Sequence, residues 1–138
     1  MRLFILAAVL LAWLAGPAVA QTEADRTAVQ GVITSQIEAF RADNAASAYS
    51  NAAPIVKAMF PSPDVFMEMV RSGYSAVYRP QSFEFGPLDQ ADGKWVQPVR
   101  LIGPDGQPKV ALYVMEQQAD GSWKIAGVRL LKGRGAAA

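Results

Sequence analysis

Residues 92–131 read DGKWVQPVRLIGPDGQPKVALYVMEQQADGSWKIAGVRLL. Three Asp-Gly pairs punctuate the stretch, at Asp92-Gly93, Asp105-Gly106 and Asp120-Gly121. Asp-Gly is a strong hairpin signal, because tight turns need positive φ and these residues accept it at least cost. The intervening segments are apolar and strand-like, and their spacing leaves room for strands of about eight to ten residues. Together with the preceding Ser82–Leu88, the stretches Lys94–Ile102, Lys109–Gln117 and Ser122–Leu131 predict a four-stranded antiparallel meander. Residues 74–80 are a candidate for a further short edge piece. Two details refine the sheet. Trp123 and Ile125 share one face of the last strand, whereas Val128 and Leu130 have the opposite parity. A phase slip at Ala126-Gly127 is what a β-bulge produces, and a bulged sheet bends around a helix instead of lying flat. Pro98 cannot donate to a ladder, so it predicts an edge or a bulge in the second strand.

Upstream the periodicity changes to that of helices. Val29, Val32, Ile33, Ile37 and Phe40 form one apolar stripe, with Asp25, Gln30, Thr34, Glu38 and Arg41 on the remaining faces. The spacing predicts a helix ending near Ala42, with Thr22 and Asp25 placed as in a capping box. Asp43 is read as the cap of a second short helix through Ala45, Ala46, Ala48 and Tyr49. Pro54 suits the first turn of a third piece, Ile55–Phe60. Ser62-Pro63-Asp64 reads as cap, first-turn proline and first-turn acid of a fourth helix stopping at Gly73. That helix is apolar over more than half its circumference, which suits a position between two layers or beside a cavity. Helices followed by strands make the chain α+β.

The N-terminus reads as an export signal. Arg2 precedes the unbroken apolar run Leu3–Leu14, Gly16-Pro17 breaks it, and Ala18-Val19-Ala20 offers small residues to a signal peptidase. Cleavage between Ala20 and Gln21 is expected. A spanning helix needs ~20 apolar residues, more than this run holds. The expected organisation is a signal peptide over 1–20, one domain over 21–132 and a flexible tail over 133–138. The expected location is the periplasm or the exterior, with no membrane attachment after cleavage. Lys and Arg total 13 against 12 Asp and Glu, so loss of Arg2 leaves the mature chain balanced. Its basic residues are scattered, which argues against a nucleic-acid partner. The chain has no cysteine and no histidine. That excludes disulfides, Ser-His and Cys-His nucleophile pairs, and the usual zinc, copper and non-haem iron ligand sets. No metal and no cofactor are expected.

Several motifs resemble a known family. The helix Val29-x-x-x-Ile33-x-x-x-Ile37-x-x-Phe40, the run Ala42–Tyr49 and the terminal Asp120-Gly-x-Trp123-x-Ile125 resemble nuclear-transport-factor-2-like and cystatin-like folds. Gln36-Ile37-x-Ala39-Phe40-Arg41, Phe60-Pro61-x-Pro63-Asp64-x-Phe66-Met67, Val77-Tyr78-Arg79-Pro80, Phe85-Gly86-Pro87-Leu88 and Gly121-Ser122-Trp123 are similar to the exported bacterial family known as domain of unknown function 4864. The resemblance implies a cone in which N-terminal helices pack inside a curved four-stranded sheet. It implies no activity, and the wider superfamily holds enzymes, ligand binders and partner-binding modules alike.

Such a cone often leaves a pocket at its open end. Phe60, Phe66, Met67, Tyr74, Tyr78, Trp95 and Tyr113 are the candidates to line it, although the same side chains suit an ordinary core. Tyr78 and Tyr113 are singled out, because buried hydroxyls need partners. The superfamily's isomerases work with a carboxylate and a tyrosine and need no histidine, which makes Asp64, Glu68 and Glu84 candidate bases. Glu84 is expected to face solvent if Phe83 and Phe85 face the core. Arg71, Arg79, Arg100 and Arg129 are candidates for an anion site, Arg100 and Arg129 above all because strands fix their direction. Asp89 and Asp92 resemble a calcium pair only faintly and suit a solvated turn. The expected function is non-catalytic binding of a small apolar or amphipathic ligand or of a protein partner. A carboxylate–tyrosine isomerase or dehydratase and a structural or homodimer-forming module are the competing classes.

Overall fold

The stripe Val29, Ile33, Ile37 and Phe40 is buried along one side of α1 (Glu23–Arg41), as its spacing requires. This computed structural model describes residues 23–133, so the signal peptide expected over 1–20 with its cleavage site Ala20-Gln21, Thr22, and residues 134–138 of the tail lie outside the described residues. After α1 come α2 (Ala45–Ser50), α3 (Pro54–Met59), α4 (Pro63–Gly73) and α5 (Ser75–Tyr78). Five strands follow: β1 (Ser82–Phe85), β2 (Asp89–Ala91), β3 (Lys94–Ile102), β4 (Pro108–Gln117) and β5 (Trp123–Lys132). The protein is α+β, with helices followed by an open antiparallel sheet.

Three local expectations are corrected. Residues 74–80 hold the helix α5 and not an edge strand. The cap of α2 is Asn44, whose side chain accepts from the Ser47 N–H at 3.0 Å. Asp43 sits before it at φ +52°, in the left-handed region that Asp tolerates better than most residues. The sheet has five strands and not four, because Ser82–Leu88 is interrupted. β1 pairs with Val99–Ile102 and β2 with Lys94–Val96, both along the same side of β3.

Pro98 explains the interruption. It lies in an interior strand, with β4 on its other side, so the expected edge or bulge position is also corrected. The Gly86 N–H donates to Pro98 O at 2.9 Å, but proline has no N–H to return. The Gln97 amide takes that place, donating to Gly86 O at 2.6 Å and to Pro98 O at 2.9 Å. Its oxygen accepts from Gln30 of α1 at 3.4 Å.

The bulge falls at the expected place. Met115 pairs with Ile125 and Val114 with Gly127, leaving Ala126 unpaired. The extra residue reverses side-chain parity. Trp123 and Ile125 before it, and Val128 and Leu130 after it, therefore all pack on the core side with Tyr113 and Ala111. The turns divide into two kinds. Asp92-Gly93 is a two-residue turn with both φ values positive, 52° and 75°, the type I′ pattern. The other two are three-residue turns ending in glycine at φ +79° and +88°. In each the aspartate accepts from the N–H two residues on, Gln107 and Ser122.

β5 is an edge strand, and its edge is partly covered. Ile125 accepts from the Ala53 N–H and donates to Asn51 O, both at 2.8 Å, so the α2–α3 connection bonds to the strand beside the bulge.

Candidate functional site

That junction sets the position of α3, and a cleft of about 260 Å³ opens beside it. Phe40 of α1, Val56 and Met59 of α3, Phe60, and Phe66, Met69 and Val70 of α4 line one part. Tyr74, Val77 and the bulged run Ile125–Val128 line the rest. The walls are held by aromatic packing: Phe66 stands 6.2 Å from Phe40, 5.7 Å from Tyr49 and 6.4 Å from Phe60. The Tyr49 hydroxyl donates to Phe60 O at 2.7 Å and fixes the end of α3. Ile55, Met59 and Val65 stay exposed on α3 and α4, so the apolar character of the cleft continues onto the nearby surface.

Gln36 is the buried polar residue of the lining, at 2 % exposure. It occupies the apolar stripe, seven residues after Val29, and donates its amide to Ala48 O at 3.2 Å. No Asp, Glu, Lys or Arg lines the cleft.

Of the seven aromatic and methionine candidates, Phe60, Phe66 and Tyr74 stand at the cleft. Met67 packs inside the core. Trp95 meets Trp123 edge-on at 6.0 Å. Tyr113 is fully buried, and its hydroxyl has no partner among the described residues. Burial pushes that hydroxyl well above the ordinary tyrosine value.

Tyr78 belongs to a separate polar cluster. Its hydroxyl donates to Asp43 Oδ1 and accepts from Arg71 Nε at 3.1 Å. Arg79 stacks 4.5 Å over its ring, bonds Asp43 Oδ1 at 2.9 Å and donates to Phe40 O. The Tyr78 hydroxyl first, and the two arginines with it, hold the Asp43 carboxyl below its usual range. The cluster ties the turn after α1 to α4 and α5.

The remaining candidates lie apart from both places. Asp64 is exposed in the first turn of α4, Glu68 pairs with Arg71 at 3.4 Å, and Glu84 pairs with Arg100 at 3.1 Å. Arg100 and Arg129 are exposed on β3 and β5, with β4 between them. Asp89 and Asp92 are exposed beside the β2–β3 turn. Among the described residues no three acidic side chains gather where they could hold a metal ion, and no helix is long and apolar enough to cross a membrane.

Beyond Phe60, Phe66 and Tyr74, the cleft lining was not among the sequence candidates, nor was the Asp43 carboxyl of the polar cluster. Gln36 carried a usable signal, a polar side chain at an apolar-stripe position. Asp43 carried none, since its partners Tyr78 and Arg79 lie more than thirty positions away.

The chain belongs to the family described as domain of unknown function (DUF4864), whose profile matches residues 22–138. No curated protein and no solved structure matches it.

Proposed function

We propose that this DUF4864 protein is an exported, non-catalytic binding protein that holds a small apolar or amphipathic ligand in the cleft between α1, α3, α4 and the β5 bulge. The observation that carries the reading is the cleft itself: about 260 Å³ of space with apolar walls and a single buried polar side chain. Apolar concavities with few polar groups are the usual form of small-molecule sites. The bulge at Ala126 and the helices-then-sheet order are in keeping with a nuclear-transport-factor-2-like cone, and the cleft then corresponds to its open end.

An isomerase-type enzyme is the weaker reading. It needs a carboxylate near the substrate with its pKa raised toward neutrality. The cleft has no carboxylate, and the one Asp–Tyr pair, Asp43–Tyr78, has its carboxyl shifted down and bound to arginine. A self-association module has one observation in its favour. Val96, Leu112, Val114 and Leu131 give the outer sheet face apolar side chains that are only partly covered.

Native mass spectrometry of the protein purified from separated periplasmic and cytoplasmic fractions tests the export, binding and self-association readings. The expected result is a mature chain starting at Gln21, carrying a co-purifying small molecule that is displaced by partial denaturation. A ligand-free dimer would favour the sheet-face module instead. A cytoplasmic protein retaining residues 1–20 would overturn the export reading.

A further inference from the structure

We infer that the ligand of this cleft is an uncharged amphipath, a small alcohol or phenol, that donates one hydrogen bond to Gln36. The inference rests on the binding reading above and adds the chemistry of the ligand. Ala48 O is a backbone carbonyl that already receives the Asn51 N–H at 3.3 Å. It can only accept, so the Gln36 amide must face it with nitrogen. The assignment of the other terminal atom as oxygen therefore follows from hydrogen-bond chemistry.

That oxygen has no partner among the described residues. The Tyr113 hydroxyl is the only fully enclosed side-chain polar atom left without one among the described residues, so the Gln36 oxygen reaches open space, and Gln36 lines the cleft. The cleft thus presents an acceptor, held in place from behind, among apolar walls. An unpaired acceptor in such surroundings selects for a donor. A carboxylate would bring only acceptors to it, with no lysine or arginine in the lining to offset its charge. An ammonium would find no carboxylate there. The half-buried Tyr74 hydroxyl can donate or accept, so it does not alter the choice. A cavity of ~150 Å³ holds benzene, so this cleft has room for about ten heavy atoms by the same scale.

The test compares three probes of that size by ¹H–¹⁵N NMR titration of the full mature chain at neutral pH: 1-octanol, its isomer 1-methoxyheptane, which lacks a donor, and octanoate. The expected result is shifts at the Ile125–Val128 amides and the Gln36 side-chain amide. Octanol should bind about fivefold tighter than the ether, and octanoate more weakly than either. In Gln36→Leu the preference of octanol over the ether should vanish. The comparison on the wild type decides alone should that variant fail to fold. Equal binding of octanol and ether, or tighter binding of octanoate, with shifts at the same amides, overturns the inference and leaves the binding reading standing. No shift at those amides with any probe near its solubility limit overturns both.

Discussion

At position 98 a proline stands in an interior strand, and the side chain of its neighbour supplies the donor that the proline lacks. Gln97 is fully buried, so removing its amide leaves Gly86 O without a donor, while Pro98 O keeps the Gly86 N–H. Gln97→Leu should therefore cost about 1–3 kcal/mol in chemical denaturation. Adding Pro98→Val to that variant returns an N–H to the backbone and should recover part of the loss; no recovery would mean that the proline is not what Gln97 answers. Tyr113 is the opposite case, a buried hydroxyl with nothing to bond among the described residues. Tyr113→Phe should raise stability by about 1 kcal/mol, and a fall would show that the hydroxyl has a partner such as a bound water. Asp43 makes a pH prediction. Its carboxyl is held below the ordinary 3.8 by Tyr78 and the arginines, so its contribution is present above that value and lost as pH falls through the lowered one. Asp43→Asn keeps a residue suited to positive φ and removes the charge. The variant should melt below the wild type at pH 7, and the two midpoints should converge as pH falls below the lowered value.

Among the elements, the caps and turns were the most legible. Ser62, Pro63 and Gly73 mark α4 as expected, and each Asp-Gly pair lies in a turn. These signals act within four residues, so tertiary context has little to override. The cap of α2 was misplaced by one residue, because Asp43 and Asn44 are both good caps and distant partners claimed the aspartate. Asn44→Ala should cost about 1 kcal/mol, read by urea denaturation. It should cost more than Ala45→Ser, which leaves the cap intact. The split of β1 from β2 was not legible, since it depends on which residue faces Pro98 across the sheet.

For the whole molecule, the cleft is a product of assembly. Its walls come from four helices and a bulged strand, and beside it the α2–α3 connection is hydrogen-bonded to Ile125. Ligand binding to the folded state alone raises its stability by mass action, by about 2.7 kcal/mol at a hundredfold excess over Kd. Octanol should accordingly raise the thermal midpoint of the wild type. Val128→Phe places a ring in the cleft, and its midpoint should no longer respond to octanol. A response that persisted in this variant would place the binding elsewhere.

By itself the sequence determined the α+β class, the apolar stripe of α1, the turns, the bulge at Ala126 and the exclusion of histidine and cysteine chemistry. Each of these follows from composition, from periodicity or from contacts a few residues long. Only the tertiary structure decided which aromatic side chains line open space and which fill the core, that Asp43 belongs to Tyr78 and Arg79, and that Gln36 lies buried at the cleft. Those outcomes depend on residues brought together from distant parts of the chain, and an apolar side chain has the same periodicity whether a neighbour or a void lies beyond it.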